Sequence, residues 1–393
     1  MVKTNRIVFL KALLIESNFH SLYEKITFKD EAIYTEEKSS KSKLDSTIYN
    51  IQDVPNYLNT YIHKGTPNLK KIAVQTLKGY LVEVKKFNTL EAYLKNNFGS
   101  KSRSNLRRYK NRLETCFTIH YTCYYGAIPK EEYNSLLITL KEFLIRRFEE
   151  KKESNYELQH FDEYYAVIYD LILKKEASIY VIYHNKKPIS IRINMFKNHL
   201  GYYIMSCYDI DYSKFHLGSL DMLKNIEWCL FNNIETYDLL KGYEYYKKDW
   251  MTTSFNFYNH ILYDSSSMLS TILAYSKKIK TKITYKIYHI LKTSHFISHY
   301  KKAKQFLYEF PHKPNAQKKI TYHKVDNFNE VIEKKQIDFE NDSSYFFIKK
   351  QLFNLLFTSQ EQYKDITIYK NLEDKNHFLV YGKRNKWSFR IFE

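Results

Sequence analysis

Glycine is scarce in this 393-residue chain: there are eight, none between Gly126 and Gly201, and no two lie closer than Gly65 and Gly79. That spacing leaves no room for a GxxxxGK[ST] or GxGxxG loop, which argues against a kinase of the P-loop type and against a dinucleotide-binding enzyme. The four cysteines, Cys116, Cys123, Cys207 and Cys229, never stand two to four residues apart as zinc ligands usually do, so no metal is expected and the thiols read as buried and reduced. No run reaches the roughly 18 to 20 apolar residues of a membrane span. The opening MVKTNRIVFLKALLIES breaks its apolar stretch with Lys11 and offers no small-residue cleavage site, so no secretory signal is read. A cytoplasmic protein is expected, with contact at the inner membrane surface left open.

Acidic charge is also in short supply. Lys and Arg number 62 against 43 Asp and Glu, a net +19 that favours anionic partners: nucleic acid, anionic headgroups or phosphate-bearing small molecules. The 38 tyrosines and 26 phenylalanines interleave with lysine along the whole chain instead of gathering on one basic face, so a nucleic-acid stacking platform is not expected.

Residues 1–100 read as an N-terminal α/β half, in which Gly79 splits Ile72 to Lys85 into two short strands or a hairpin and Leu90, Tyr93 and Leu94 share a helix face. Lys101 to Glu114 follows as a basic helix, capped at Ser102 or Ser104, with Leu106, Tyr109 and Leu113 inward. Its like-charged pairs, Arg103 with Arg107 and Arg108 with Arg112, are a solvated face or a phosphate-binding one. After a strand near Cys116 to Tyr125, Pro129 opens a helix whose Tyr133, Leu136, Leu137, Leu140, Phe143 and Leu144 recur at helical spacing, with Arg146 and Arg147 in its last turn. A second helix buries Phe161, Tyr164, Tyr165, Ile168, Leu171 and Ile172. Both helices are read as packing elements without chemistry.

Ala177 to Trp250 carries the functional signal. Two strands joined by HNKK come first; in the second, Ile189, Ile191, Ile193 and Met195 alternate with Ser190, Arg192, Asn194 and Phe196, the pattern of a half-buried antiparallel strand. A third strand, the loop YDIDYSKFHLG and a helix follow, and Gly218 and Ser219 stand where the first amides of that helix are free, a ready anion site. Ile234 to Leu240 is a further strand, and Tyr243 to Trp250 a short helix or turn.

YDIDYSKFHLGSLDMLKNIEWC and TYDLLKGYEYYKKDW resemble the corresponding segments of the bacterial cellulose-biosynthesis-type acetyltransferase domain, a branch of the GNAT superfamily similar also to the Fem peptidyltransferases. The resemblance extends over about residues 80 to 265, with SRSNLRRYKNRLE ahead of the domain and Asp238, Gly242, Tyr246, Lys247 and Trp250 at its end. It implies an α/β (α+β) fold with a mixed, mostly antiparallel sheet flanked by helices, arranged as two GNAT-like halves. It also implies transfer from acetyl-CoA or another acyl-CoA to a sugar, lipid or cell-envelope precursor; the alternatives are an aminoacyl-tRNA donor, as in the Fem relatives, with tRNA then the one nucleic-acid partner, or a non-catalytic GNAT-fold adaptor. Phe215, His216, Leu217, Gly218, Ser219 and Leu220 are expected at the cofactor, Arg107, Arg108, Lys247 and Trp250 at the substrate, and Asp209, Glu244 and Tyr246 in catalysis. Asp209 and Asp211 can alternatively cap the structure that follows them. Cys207 and Cys229 lack a nearby histidine, so direct transfer is favoured over an acyl-enzyme.

Residues 266–310 form a basic amphipathic segment, a covering helix or a face for anionic lipid. His295 and His299 lack the adjacent glutamate of a zinc protease and read as a surface pair. Residues 320–393 read as a small α+β appendage with a helix near Ser344 to Thr358 and strands in ITIYK, HFLVYG and WSFRIF.

Overall fold

The structure is a computed structural model that describes residues 3–36, 47–242, 244–293, 319–325 and 333–392; His295 and His299 lie outside them. The chain begins with β1 (Lys3–Val8) and a helical turn, α1 (Phe9–Lys11), that widens into a π-helical stretch over Ala12–Glu16. Then come β2 (Tyr23–Phe28), β3 (Glu31–Thr35), β4 (Thr47–Pro55), β5 (Leu58–Ile62) and β6 (Leu69–Val82). Two helices, α2 (Leu90–Asn97) and α3 (Ser100–Cys116), lead to β7 (Ile119–Tyr124). Next are α4 (Lys130–Lys151), the single turn α5 (Tyr156–Gln159) and α6 (Phe161–Leu173). The central meander is β8 (Ala177–His184), β9 (Lys187–Lys197) and β10 (Leu200–Tyr208), followed by α7 (Leu217–Phe231), β11 (Thr236–Asp238), α8 (Glu244–Trp250), β12 (Thr253–Asp264) and α9 (Met268–Thr293).

Nine of these strands form one sheet in the order β1-β4-β12-β6-β11-β10-β9-β8-β7. Within it only β1–β4 and β10–β11 pair in parallel, so the sheet is mixed and mostly antiparallel, as expected. The N-terminal β1, β4 and β6 therefore extend the same sheet as the central meander, while β2, β3 and β5 make a separate three-stranded sheet. The C-terminal part holds β13 (Lys319–Val325), β14 (Lys334–Gln336), α10 (Lys349–Ser359), β15 (Thr367–Asn371), β16 (His377–Tyr381) and β17 (Lys386–Phe392), its strands ordered β13-β17-β16-β15-β14. It packs on the rest through α10: Phe353 meets Tyr212 at 4.5 Å, and the Cys116 thiol donates to the Leu356 carbonyl.

Helices cover both faces of the large sheet. On one face, Tyr133, Leu136, Leu137, Leu140, Phe143 and Leu144 of α4 pack with Phe161, Ile168 and Ile172 of α6 in a core shared with Ile191 and Ile193. On the other, Leu217, Leu220, Leu223 and Ile226 of α7 join α2 and α3.

Two strand readings change. Residues 69–82 form one continuous strand, not a hairpin broken at Gly79. Gly79 pairs with Phe255 of β12, whose ring lies across it: a Cβ there would stand 2.2 Å from Phe255 Cζ. The glycine makes space for a neighbouring ring and marks no turn. Likewise β9 is buried on both faces, with Ser190, Arg192 and Asn194 at 1% exposure or less, because α7 covers the polar side with polar groups of its own. Gly79→Ala should lower the unfolding free energy by about 1–3 kcal/mol through overpacking. Denaturant titration in a Phe255→Ala background should return most of that loss, since the clashing ring is then absent.

Candidate functional site

The site begins where two strands part. β10 pairs with β11 only at Leu200, Gly201 and Tyr202, because β11 ends at Asp238 and Leu240 turns the chain with φ 60°. β10 runs on to Tyr208, and among the described residues no strand pairs with that side of it. A cavity of about 690 Å³ opens there, within the usual size range of small-molecule sites. Its walls are the last turns of α4 (Leu144, Arg147, Phe148, Lys151), β10 from Tyr203 to Ser206 with Tyr208, the start of α7 (His216, Gly218, Ser219) and the turn into α8 (Gly242, Tyr245, Tyr246, Lys247).

A buried polar network sets the position of α7. The Arg192 guanidinium on β9 donates through Nε at 2.9 Å and through Nη2 to Asp221 Oδ2, which also accepts from Ser206 Oγ at 3.0 Å. Asn194 donates to Asn225 at 2.7 Å and accepts from the Tyr237 hydroxyl at 2.7 Å, tying β9, α7 and β11 together. The amino end of α7 is thereby held against the cavity. There His216 adopts the left-handed conformation (φ 55°) and stacks on Tyr109 at 3.9 Å. The amides of Ser219 and Leu220 both donate to the His216 carbonyl, at 2.9 and 3.2 Å. Among the described residues the amides left without a hydrogen bond at this end are those of Leu217 and Gly218, one residue earlier than the sequence suggests. The Tyr246 hydroxyl donates to the Gly218 carbonyl at 2.5 Å and fastens α8 to α7.

The cavity is cationic. Arg147, Lys151, Lys241 and Lys247 face one acid, Glu157, among its described lining residues. Arg147 lies 4.6 Å from the centre of the Tyr208 ring, and Lys241 pairs with Asp53. Lys247 is 7% exposed, and its ammonium donates to the Lys241 carbonyl at 2.6 Å. Burial lowers its pKa to about 8, against the opposing pull of Asp238. Asp238, wholly buried, is pushed up to about 7 by the same loss of water, although the Tyr57 hydroxyl at 2.6 Å and the Leu240 amide at 2.7 Å stabilise its charge.

A second cavity of about 320 Å³ adjoins the first, sharing Tyr156, Glu157, Ile204 and Lys241. Its remaining wall is largely apolar, with Val8, Leu14, Ile15, Met195, Leu240 and Phe257. Among the described residues no group of His, Cys, Asp and Glu is arranged to hold a metal ion.

Of the residues expected from sequence, the structure brings His216, Gly218, Ser219, Tyr246 and Lys247 to the cavity. The side chains of Phe215, Leu217 and Leu220 are buried in the core and do not line the cavity. Asp209 does not line the cavity: its Oδ1 accepts from Arg146 at 3.0 Å and from the Asp211 amide at 3.1 Å, so it caps the turn of Ile210–Phe215. Asp211 takes the other side of Arg146, at 3.1 Å. Arg107 pairs with Glu91 at 2.8 Å and Arg108 lies beside Tyr109, near enough for its charge to reach His216, but neither side chain lines the cavity. Trp250 is a core residue, edge-on to Phe98 at 4.9 Å, with its carbonyl accepting from Tyr93. The side chain of Glu244 lies outside the described residues. Cys207 and Cys229 are buried, and burial pushes their thiols up, Cys207 to about 11, which leaves them poor nucleophiles.

Sequence reading passed over Arg147, Lys151, Glu157, Tyr203 and Lys241. For two of them a signal existed: Leu144, Arg147, Phe148 and Lys151 continue the buried stripe of α4 at spacings of three and four, so these cations point inward with it.

Residues 100–248 match the acetyltransferase (GNAT) domain family. That match spans less than half of the chain. Solved structures similar to the chain include FemX, at 12% identity over 58% of this chain and 74% of that one, with a TM-score of 0.42. L-PGS from Bacillus licheniformis has 15% identity over 59% and 72%, with a TM-score of 0.36. The C-terminal domain of a protein from Agrobacterium fabrum named as a lysylphosphatidylglycerol synthetase has 12% identity over 55% and 68%, with a TM-score of 0.38. No curated protein matches the chain.

A lysine whose pKa falls on folding contributes stability that is present above its unfolded pKa and lost as pH drops through the folded one. For Lys247 that window runs from 10.5 down to about 8. Lys247→Met should therefore flatten the pH dependence of unfolding across it. In spectra of reductively methylated protein, one lysine signal titrating near 8 should disappear in the variant; a Lys247 signal titrating with the surface lysines would contradict the burial described here.

Proposed function

We propose that the chain is an N- or O-acetyltransferase that moves an acyl group from acetyl-CoA, or another acyl-CoA, directly to an amine or hydroxyl acceptor. The observation that carries this reading is the cationic cavity that opens as β10 leaves β11 and is closed by the amino end of α7. The free amides of Leu217 and Gly218, with Arg147 and Lys151 opposite, suit the phosphates of the donor. The parted strands suit its extended arm.

In the transfer, the acceptor nitrogen or oxygen bonds to the thioester carbonyl carbon, the carbon–sulfur bond breaks, and the acceptor's proton passes to the leaving thiolate. Lys247 is the cavity-wall group suited to relay that proton, since burial brings its pKa down toward the neutral range. Tyr246, bound to the Gly218 carbonyl, is a positioning residue for the end of α7. The adjoining cavity is the acceptor side, and its apolar wall favours a sugar- or lipid-linked envelope precursor with an apolar portion.

Isothermal titration of the full chain with acetyl-CoA should give a saturable heat. Gly218→Trp should abolish it, because a Cβ at that position already comes within 3.3 Å of the Tyr208 ring. Arg147→Ala should weaken binding about tenfold, as expected for one charge-assisted hydrogen bond. No heat with the wild-type chain would count heavily against coenzyme A as donor.

The net charge of +19 favours one second reading, an aminoacyl-tRNA donor in the same cavity. Filter binding of charged tRNA should then weaken steeply with salt; affinity absent at low salt, or insensitive to it, removes that reading.

A further inference from the structure

α9 has two unlike sides. Ser270, Ala274 and Thr281 are buried against the sheet, where α9 crosses β6 and β12. At about 100° per residue, Leu269, Ile272, Ile279, Ile283 and Ile287 fall on the opposite side, and they are 50 to 57% exposed. Five large aliphatic side chains thus form one outward stripe, well beyond the scattered apolar residues of an ordinary surface. Lys278, Lys282 and Lys286 run along one flank of the stripe and Lys280 along the other, and α9 contains no Asp or Glu. The helix is about 39 Å long at 1.5 Å per residue. Among the described residues no helix is long and apolar enough to cross a membrane.

We infer that α9 is a peripheral docking face that lies flat on an anionic phospholipid bilayer, with its aliphatic stripe among the acyl-chain ends of the headgroups and its lysines on the phosphates. Charge decides between occupants. A second copy seated on this face would set lysine rows without a single acid against each other. The sequence that follows α9 brings Lys301, Lys302, Lys304 and Lys313 against one acid, Glu309, and meets the same repulsion. An anionic headgroup layer neutralises both flanks while the stripe leaves water. The lysine stems, apolar along their length, extend the buried width and keep their ammonium groups at the phosphates. The inference stands apart from the acyltransferase reading, since neither cavity is lined by α9.

The test is co-sedimentation of the full chain with vesicles of phosphatidylcholine alone and of phosphatidylcholine with 30 mol% phosphatidylglycerol, a composition chosen as about that of a strongly anionic leaflet. The anionic vesicles should pellet the protein with a partition coefficient at least about tenfold higher, falling as salt rises. Ile279→Asp with Ile283→Asp should lower it about tenfold or more while thermal unfolding stays unchanged, both positions being exposed. Lys278→Gln with Lys282→Gln and Lys286→Gln should remove the preference for anionic vesicles. Equal pelleting with both vesicle types, or pelleting of the aspartate variant at the wild-type level, overturns the inference. So does a concentration-dependent dimer in light scattering that the aspartate variant abolishes, which would assign the face to a second copy.

Discussion

The Arg192–Asp221 pair is the contact on which the placement of the site depends. Both side chains are almost wholly out of water, a costly arrangement offset by the two guanidinium nitrogens and the Ser206 hydroxyl that meet Asp221 Oδ2 and by the bond from Arg192 to the Tyr237 hydroxyl, while Asp221 Oδ1 is left without a partner among the described residues. Its value lies in register. A helix packed on a sheet by aliphatic contacts alone can shift by part of a turn at little cost, whereas an ion pair in an apolar interior has one acceptable geometry. The Asn194–Asn225 and Asn194–Tyr237 bonds repeat the constraint one turn further along α7 and carry it to β11.

That constraint accounts for several features at once. With α7 held, its amino end projects between the parted strands, and Tyr246 can reach the Gly218 carbonyl and draw α8 into the wall. Lys247 is then sheltered behind the turn at Gly242, where φ is 134° and a side chain would press on the ammonium. Desolvation moves Lys247 and Asp238 toward each other on the pH scale, the lysine down and the carboxylic acid up. Groups drawn together in this way by burial are common where protons move.

Local pattern carried much of the fold. The six apolar positions of α4 and three of the five strands of the C-terminal sheet, β15, β16 and β17, follow from local pattern, since each is set by which face meets the core, whereas β13 and β14 were not read. What stayed hidden depends on partners distant in sequence. Gly79 reads as a break until Phe255, far along the chain, is seen to need its space. The polar face of β9 reads as solvated because nothing in its own residues announces that Asp221 and Asn225 will cover it. At the site, Gly218, Tyr246 and Lys247 were legible from a local motif, whereas the pairing of Asp209 with Arg146, on a helix read as mere packing, was not. Arg147 and Lys151 were readable as an extension of the α4 stripe, but a charged residue on an apolar stripe is ambiguous until the stripe is seen to end at a cavity.

The short pairing of β10 with β11 has one more consequence. Beyond Tyr202 the strand presents amide and carbonyl groups to the cavity with no neighbouring strand to satisfy them. Recognition along that edge is spoken by the main chain, so it reads whether a guest is extended and carries its own peptide-like groups, and it is indifferent to side-chain identity. Such an edge can stay constant while the side chains around it drift, because its hydrogen-bonding groups belong to the backbone and not to any one residue type.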